Sequence, residues 1–323
     1  MKHTLADVLA ERTNFRFLDR VWRWALISGT LVLIGLIALF AQGGFNFGLD
    51  FTGGTAFETT AKIVPSIEPV RTIMQQAGAS DSKIAIVGTK SIRIQTKHLS
   101  EVGAKGEANR TKVRKEIASY AKVKPDQVSV NSVSGTWGDA VTESAIKALI
   151  GFFIVVMLYL TIRLEFKMAL AAMIAVAHDL ILTAVVYAFF GLEVAPATIV
   201  ALLTILGFSL YDTVIVFDKI EENSNQLAVK KSLTYREVVN RSLNETLMRS
   251  ISTTIVAVLP VAGLVFIGWL AMGAETLGQF ALALLCGLAT GAYSSIFVAA
   301  PALVWMKERE PQLRRRAERA ATA

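Results

Sequence analysis

The stretch "GFSLYDTVIVFD" (207–218) closes a long apolar run yet carries two carboxylates, Asp212 and Asp218. An aspartate near the centre of a membrane helix disfavours insertion by roughly 2.5–3.5 kcal/mol, while each Leu, Ile, Val or Phe favours it by about 0.3–0.6 kcal/mol. The run from 196 to 217 holds about a dozen such residues, so it inserts with Asp212 inside. A carboxylate kept at that cost can bind and release a proton, and it is a functional residue by default. Asp218, beside Lys219, marks the end of the span.

Ser209, three residues before Asp212, shares its helical face. An ionised carboxylate in low dielectric calls for a counter-charge, and Arg249 is the best candidate, its plainer alternative being an ordinary positive-inside flank. It opens the next apolar run at the same side of the membrane and continues along one face into Ser252, Thr253 and Val256. A third polar cluster lies in "AVAHDLILT" (175–183), where His178 and Asp179 stand mid-span and Thr183 follows one turn later. Sequence neighbours point in different directions, so the two serve either inter-helix hydrogen bonding or part of a proton route. With three histidines and one cysteine in the chain, no metal site is expected. Gln279, Ala283, Gly287, Thr290 and Ser294 form a small, polar stripe, and Gly287 and Gly291 make a GxxxG pair suited to close helix packing.

These residues require membrane helices to hold them. The chain has 323 residues, 53% hydrophobic and 18% charged. Runs near 20 residues match the length that crosses a hydrocarbon core of about 30 Å. Six spans are expected, at 23–42, 144–162, 168–190, 196–217, 250–270 and 276–300, with an uncleaved first span rather than a signal peptide. The net charge of +7 is sorted by topology, which argues against nucleic acid as its reason. Lys2, Arg12, Arg16, Arg20 and Arg23 precede the first span. Arg163 and Lys167 follow the second, and Lys219, Lys230, Lys231, Arg236 and Arg241 lie between the fourth and fifth. Arg309, Arg314, Arg315, Arg316 and Arg319 follow the sixth, while the turns 191–196 and 271–276 lack Lys and Arg. The positive-inside rule then places both termini in the cytoplasm.

The expected organisation is a cytoplasmic segment 1–22, a first span, an extracytoplasmic domain 43–142, and five spans over 143–300 with a cytoplasmic loop 218–249. A basic cytoplasmic tail, 301–323, follows. The domain reads strand (46–61), helix (66–77), strand (83–88), strand (91–96), helix (109–120), strand (126–133), a β-α-β-β-α-β order that suggests a small ferredoxin-like α+β fold. "GLDFTGGT" (48–55) lacks the GK[ST] ending of a phosphate loop, so Gly53–Gly54 is read as a bulge or close backbone contact. Pro260 and Gly263 suggest a kink in the fifth span. "YREVVNRSLNETLMRS" (235–250) is amphipathic, and its sequons at Asn240 and Asn244 are discounted on the cytoplasmic side.

Together, "GLDFTGGT" after the first span, "AHD" in the third, "YDTVIVFDKIEEN" closing the fourth and "NETLMRSISTT" opening the fifth resemble the SecF family of the bacterial protein-export machinery. The resemblance spans essentially the whole chain. It implies one half of an RND-type transporter, six helices with an external domain after the first, paired with SecD and working with the SecYEG channel and the SecA ATPase. It also implies that proton movement through the membrane domain drives the export of polypeptide chains. The family's key carboxylate and arginine fall on Asp212 and Arg249. Tyr211 departs from the pattern, where many members carry Asn.

An alternative reading is an RND-type small-molecule or lipid exporter acting as a half-transporter, and a third is a passive scaffold for partner helices. The chain shows no phosphate loop, nucleophile elbow or HExxH motif, so neither an enzyme nor a cofactor is expected. The expected setting is the bacterial cell membrane, with lipid around the spans.

Overall fold

The computed structural model describes residues 14–87, 89–97, 99, 104–225, 234–271 and 275–315. Lys2, Arg12, Lys230, Lys231, Arg316 and Arg319, and residues 272–274 of one expected turn, lie outside the described residues. The chain forms two compact units: 46–148 with 193–196, and the remainder.

The smaller unit holds strands β1 (Asn46–Phe47), β2 (Gly54–Thr60), β3 (Lys83–Val87), β4 (Ser91–Thr96), β5 (Ser129–Val133) and β6 (Glu193–Val194), with helices α1 (Ile67–Gln76) and α2 (Ala104–Ala121). Strands β2 to β5 form an antiparallel sheet in the order β3-β4-β2-β5, as a ferredoxin-like fold requires. Alternation along "SIRIQT" buries Ile92 and Ile94, which pack with Phe57, Met74 and Ile117. The expected first strand, 46–61, is interrupted by a helical turn, Leu49–Thr52. Gly53 follows at φ +65°, and a Cβ there would lie 2.8 Å from the Gly135 Cα. A Cβ on Gly54 would lie 2.5 Å from the Thr96 carbonyl oxygen. The paired glycines therefore serve close backbone packing. The severed piece, β1, pairs in parallel with β6 from the 191–196 turn. Beside it, the Glu193 carboxylate accepts from Arg93 and Gln95.

Six helices among the described residues are long and apolar enough to cross a membrane. Their cores are α3 (Val21–Ala41), α4 (Gly135–Arg163), α5 (Phe166–Phe190), α6 (Pro196–Ser224), α7 (Tyr235–Gly263) and α8 (Glu275–Ser294). Helix α7 contains Pro260 and passes into π winding at Leu264–Ala271. Helix α8 passes through a π segment, Ser295–Ala299, into α9 (Ala300–Lys307). Helices α5, α6 and the last span bury about half their apolar windows within the chain, whereas α3 and α4 present nearly all of theirs outward. Small residues on α5 (Ala169, Ala172, Ala175) and on α8 (Ala281, Ala283) are fully buried, which lets backbones approach.

The expected cytoplasmic loop 218–249 is largely helical. Helix α6 continues to Ser224, and α7 starts fifteen residues earlier than the expected span, at Tyr235. Thr234 and Glu237 form a capping box there. Buried Val238, Val239, Ser242, Leu243 and Thr246 give this extension its own packed face. Asn223 donates to Ser242 and Glu245, tying the two helix extensions together. Asn240 and Asn244, the sequon asparagines, bond the backbone of residues 15–18 instead.

Candidate functional site

Helix α6 buries one stripe, Ile205, Ser209, Asp212, Thr213 and Val216, so the apolar periodicity of the span turns Asp212 inward. The Asp212 carboxylate is 4% exposed. It accepts from Ser250 Oγ on α7 at 2.7 and 2.6 Å, one contact to each oxygen. Ser295 Oγ, in the π segment after α8, donates to Asp212 Oδ2 at 2.5 Å. Tyr211, beside it in sequence, is 53% exposed and points away from the carboxylate.

The second carboxylate, Asp179 on α5, is fully buried. Its Oδ2 accepts from Ser209 Oγ of α6 at 2.5 Å and from Ser294 Oγ at 2.7 Å. Its Oδ1 lies 3.3 Å from His178 Nδ1. His178 Nε2 lies 3.0 Å from Ser28 Oγ on α3, which is 3.0 Å from Tyr293 Oη on α8. Tyr293 Oη in turn donates to the Trp24 carbonyl at 3.2 Å. Although adjacent in sequence, His178 and Asp179 touch each other and then diverge. Ser209, which shares a helical face with Asp212, donates to Asp179.

Arg249 does not meet Asp212. It is exposed, and the buried face of α7 runs through Leu243, Thr246, Leu247 and Ser250. The expected face Arg249–Ser252–Thr253–Val256 is one residue out of phase, about 100° around the helix. Ser252 and Val256 are exposed with Arg249. Thr253 bonds the carbonyls of Arg249 and Ser250 within its own helix. Serine hydroxyls thus stand where a cation was expected. Ser28, Ser250, Tyr293 and Ser295 went unread in the sequence; the only signal for them was proximity to His178, Asp179 or Asp212 across helices, which one span does not reveal.

Gly287 and Gly291 of α8 face α6. A Cβ on Gly287 would lie 2.3 Å from Ile205 Cδ1, and one on Gly291 3.1 Å from Ser209 Cβ. The glycine pair sets the close approach that lets Ser209 and Ser294 share one carboxylate oxygen. Among the described residues no group of three His, Cys, Asp or Glu could hold a metal.

The family described as "Protein export membrane protein SecD/SecF, C-terminal" matches residues 112–309, more than half the chain. The chain belongs to the SecD/SecF family. The "SecD/SecF GG Motif" matches residues 37–62, which include the Gly53–Gly54 pair. Among relatives, "Protein translocase subunit SecF" of Streptomyces coelicolor is 39% identical over 90% of this chain and 76% of its own length. The protein of the same name from Rhodothermus marinus is 32% identical over 94% of this chain and 97% of its own. The crystal structure of SecDF, a translocon-associated membrane protein of Thermus thermophilus, superposes with a TM-score of 0.80 at 30% identity. It aligns with 95% of this chain, which spans 40% of that longer SecDF chain.

Proposed function

We propose that this chain is the SecF-side subunit of a Sec protein translocase and that Asp212 carries the proton that couples the proton motive force to export. The translocase role rests on the family and on relatives named as protein translocase subunits. A SecD-type half is the implied partner, since in the Thermus SecDF the region similar to this chain is part of one longer polypeptide. SecYEG, SecA and the exported chain complete the proposal, with both termini in the cytoplasm. The exporter reading is not favoured by relatives of this kind.

One observation supports the proton role above the others: Asp212 is a nearly fully buried membrane carboxylate surrounded by hydroxyls rather than by a cation. Serine hydroxyls can donate to the ionised form and accept from the protonated one, so both states are satisfied by turning O–H bonds. A fixed Arg partner would oppose proton uptake far more strongly. Arg249 enters this proposal as an outward-facing charge one residue from Ser250, available to a partner half.

Export in membrane vesicles, with the proton gradient collapsed selectively, tests the reading. Asp212→Asn, nearly isosteric, inserts and loses the proton-dependent stimulation of export. Full stimulation in that variant sinks the proposal.

A further inference from the structure

We infer that His178 and Asp179 form a second proton-exchanging site, fed from a cleft at the start of α3; the inference rests on the proton-coupled reading of Asp212. A hydrogen-bonded row runs from Asp179 through His178, Ser28 and Tyr293 to the Trp24 carbonyl. It can be satisfied in two protonation states. With imidazolium at His178, Nδ1–H donates to Asp179 and Nε2–H to Ser28. Ser28 then donates to Tyr293, and Tyr293 to Trp24. With a proton on Nδ1 alone, Ser28 turns its hydrogen to Nε2 and accepts from Tyr293. Loading and unloading change only N–H and O–H bonds: one proton arrives at Nε2 through the two hydroxyls from water, and leaves the same way. A row built for packing alone needs one satisfied state.

The geometry also supplies an entry. A cavity of about 400 Å³ is lined by Phe15, Arg16, Phe17, Asp19, Arg20, Trp24 and Phe297. Arg16, Asp19 and Arg20 give it polar groups among four aromatic rings, and Trp24 and Phe297 bring it beside Tyr293, with ring centroids 5.9 and 5.2 Å away. At the other end of the row, Ser294 holds Asp179 while its neighbour Ser295 holds Asp212. The ionisable groups facing the dyad are Tyr293 from α8 and, beyond Ser209 on α6, Asp212. From α3 come Ser28 and Trp24, which carry no charge. Lys167, at the start of α5, is paired with Glu310 instead. Arg16, Asp19 and Arg20 stand at the cleft, with Arg16 and Asp19 3.5 Å apart.

The test is nitrogen NMR of the full chain in membranes, with imidazole-labelled histidine. The chain has three histidines, so His178 is assigned by the resonance lost in His178→Gln. His178 is expected to pass between neutral and imidazolium forms between pH 5 and 9. In Asp179→Asn, which removes the carboxylate beside Nδ1, the ratio of imidazolium to neutral imidazole at a given pH is expected to fall. Tyr293→Phe keeps the ring, removes the hydroxyl link, and loses most proton-dependent stimulation of export in vesicles. A His178 held in one neutral tautomer across the range overturns the inference. So does full stimulation in Tyr293→Phe and His178→Gln together. A titrating His178 with those losses, but full stimulation in Asp212→Asn, overturns the Asp212 reading and leaves the dyad standing.

Discussion

Gly287→Ala measures how tightly the membrane core is set. The added Cβ would stand 2.3, 2.4 and 2.5 Å from Ile205 Cδ1, Cγ2 and Cγ1. Carbon atoms prefer about 3.5–4.0 Å, so the whole Ile205 side chain must retreat by more than an ångström. Ile205 is 1% exposed and β-branched, with few rotamers to retreat into. Overpacking of this kind costs about 1–3 kcal/mol, and the crowding here argues for the upper half of that range. Ile205→Ala alone leaves a cavity and costs about 2–5 kcal/mol. Combined, each change relieves the other, because the new methyl enters the space the isoleucine vacates. The double variant is expected to be more stable than the sum of the two costs predicts by about 1–3 kcal/mol. Reversible unfolding in mixed micelles, followed by circular dichroism, gives all four corners of the cycle. Additive costs within about 0.5 kcal/mol, or a Gly287→Ala protein as stable as the parent, would refute the close α6–α8 approach.

Two further predictions concern ion pairs away from the buried carboxylates. In the smaller unit, Arg93 bridges Glu58 at 2.9 Å and Glu193 at 2.9 Å, with Glu193 also accepting from Gln95. Arg93→Met leaves the largely buried Glu193 carboxylate without its cation and should cost about 1–3 kcal/mol, whereas Glu193→Gln, which leaves Arg93 paired with Glu58, should cost less; the reverse order in denaturant titrations counts against this account. In the helical unit, a hydrogen bond from Lys167 holds the Glu310 carboxyl below its ordinary value of 4.5, against a smaller opposing effect of burial and with help from Lys307. A depressed carboxyl stabilises the fold above 4.5 and loses that contribution as pH falls through the lower folded value. Because the pair is about one-third exposed, the loss should stay under about 1 kcal/mol. Thermal melts at pH 7 and pH 3.5 should therefore differ less in Glu310→Gln than in the parent; an equal difference removes Glu310 as a contributor.

Legibility in the sequence followed the cost of each feature. Asp212 and Asp179 stood out because a carboxylate in an apolar run is expensive, and both are buried at helix contacts. The spans and the β-α-β-β-α-β order were readable because apolar length and alternation are strong periodic signals. The serines were not. A hydroxyl costs little in a membrane helix and commonly bonds its own backbone, as Thr253 and Thr254 do, so nothing in sequence separates those from Ser250 and Ser295. Arg249 misled for a related reason: its charge drew attention, and a phase error of one residue moved the inward position to Ser250. The break at Gly53 and the helix extensions to Ser224 and from Tyr235 depend on partners distant in sequence, Gly135 for the first and Asn223 with Ser242 for the second.

The position of the π segment decides how the two carboxylates relate. In an α-helix, adjacent side chains diverge by about 100°, so Ser294 and Ser295 cannot serve one partner. Here they serve two, Asp179 on α5 and Asp212 on α6, each through a bond of 2.7 Å or less. The π winding begins at Ser295 itself, where an extra residue per turn re-aims the side chains that follow. Protonation of Asp212 removes an acceptor from Ser295 unless that hydroxyl turns, and a shift of the backbone there displaces Ser294 as well. Asp179 would then exchange a donor, and His178 and Ser28 beyond it would adjust. The two carboxylates are therefore linked through one dipeptide, Ser294–Ser295, whose first residue closes an α-helix and whose second opens a π segment.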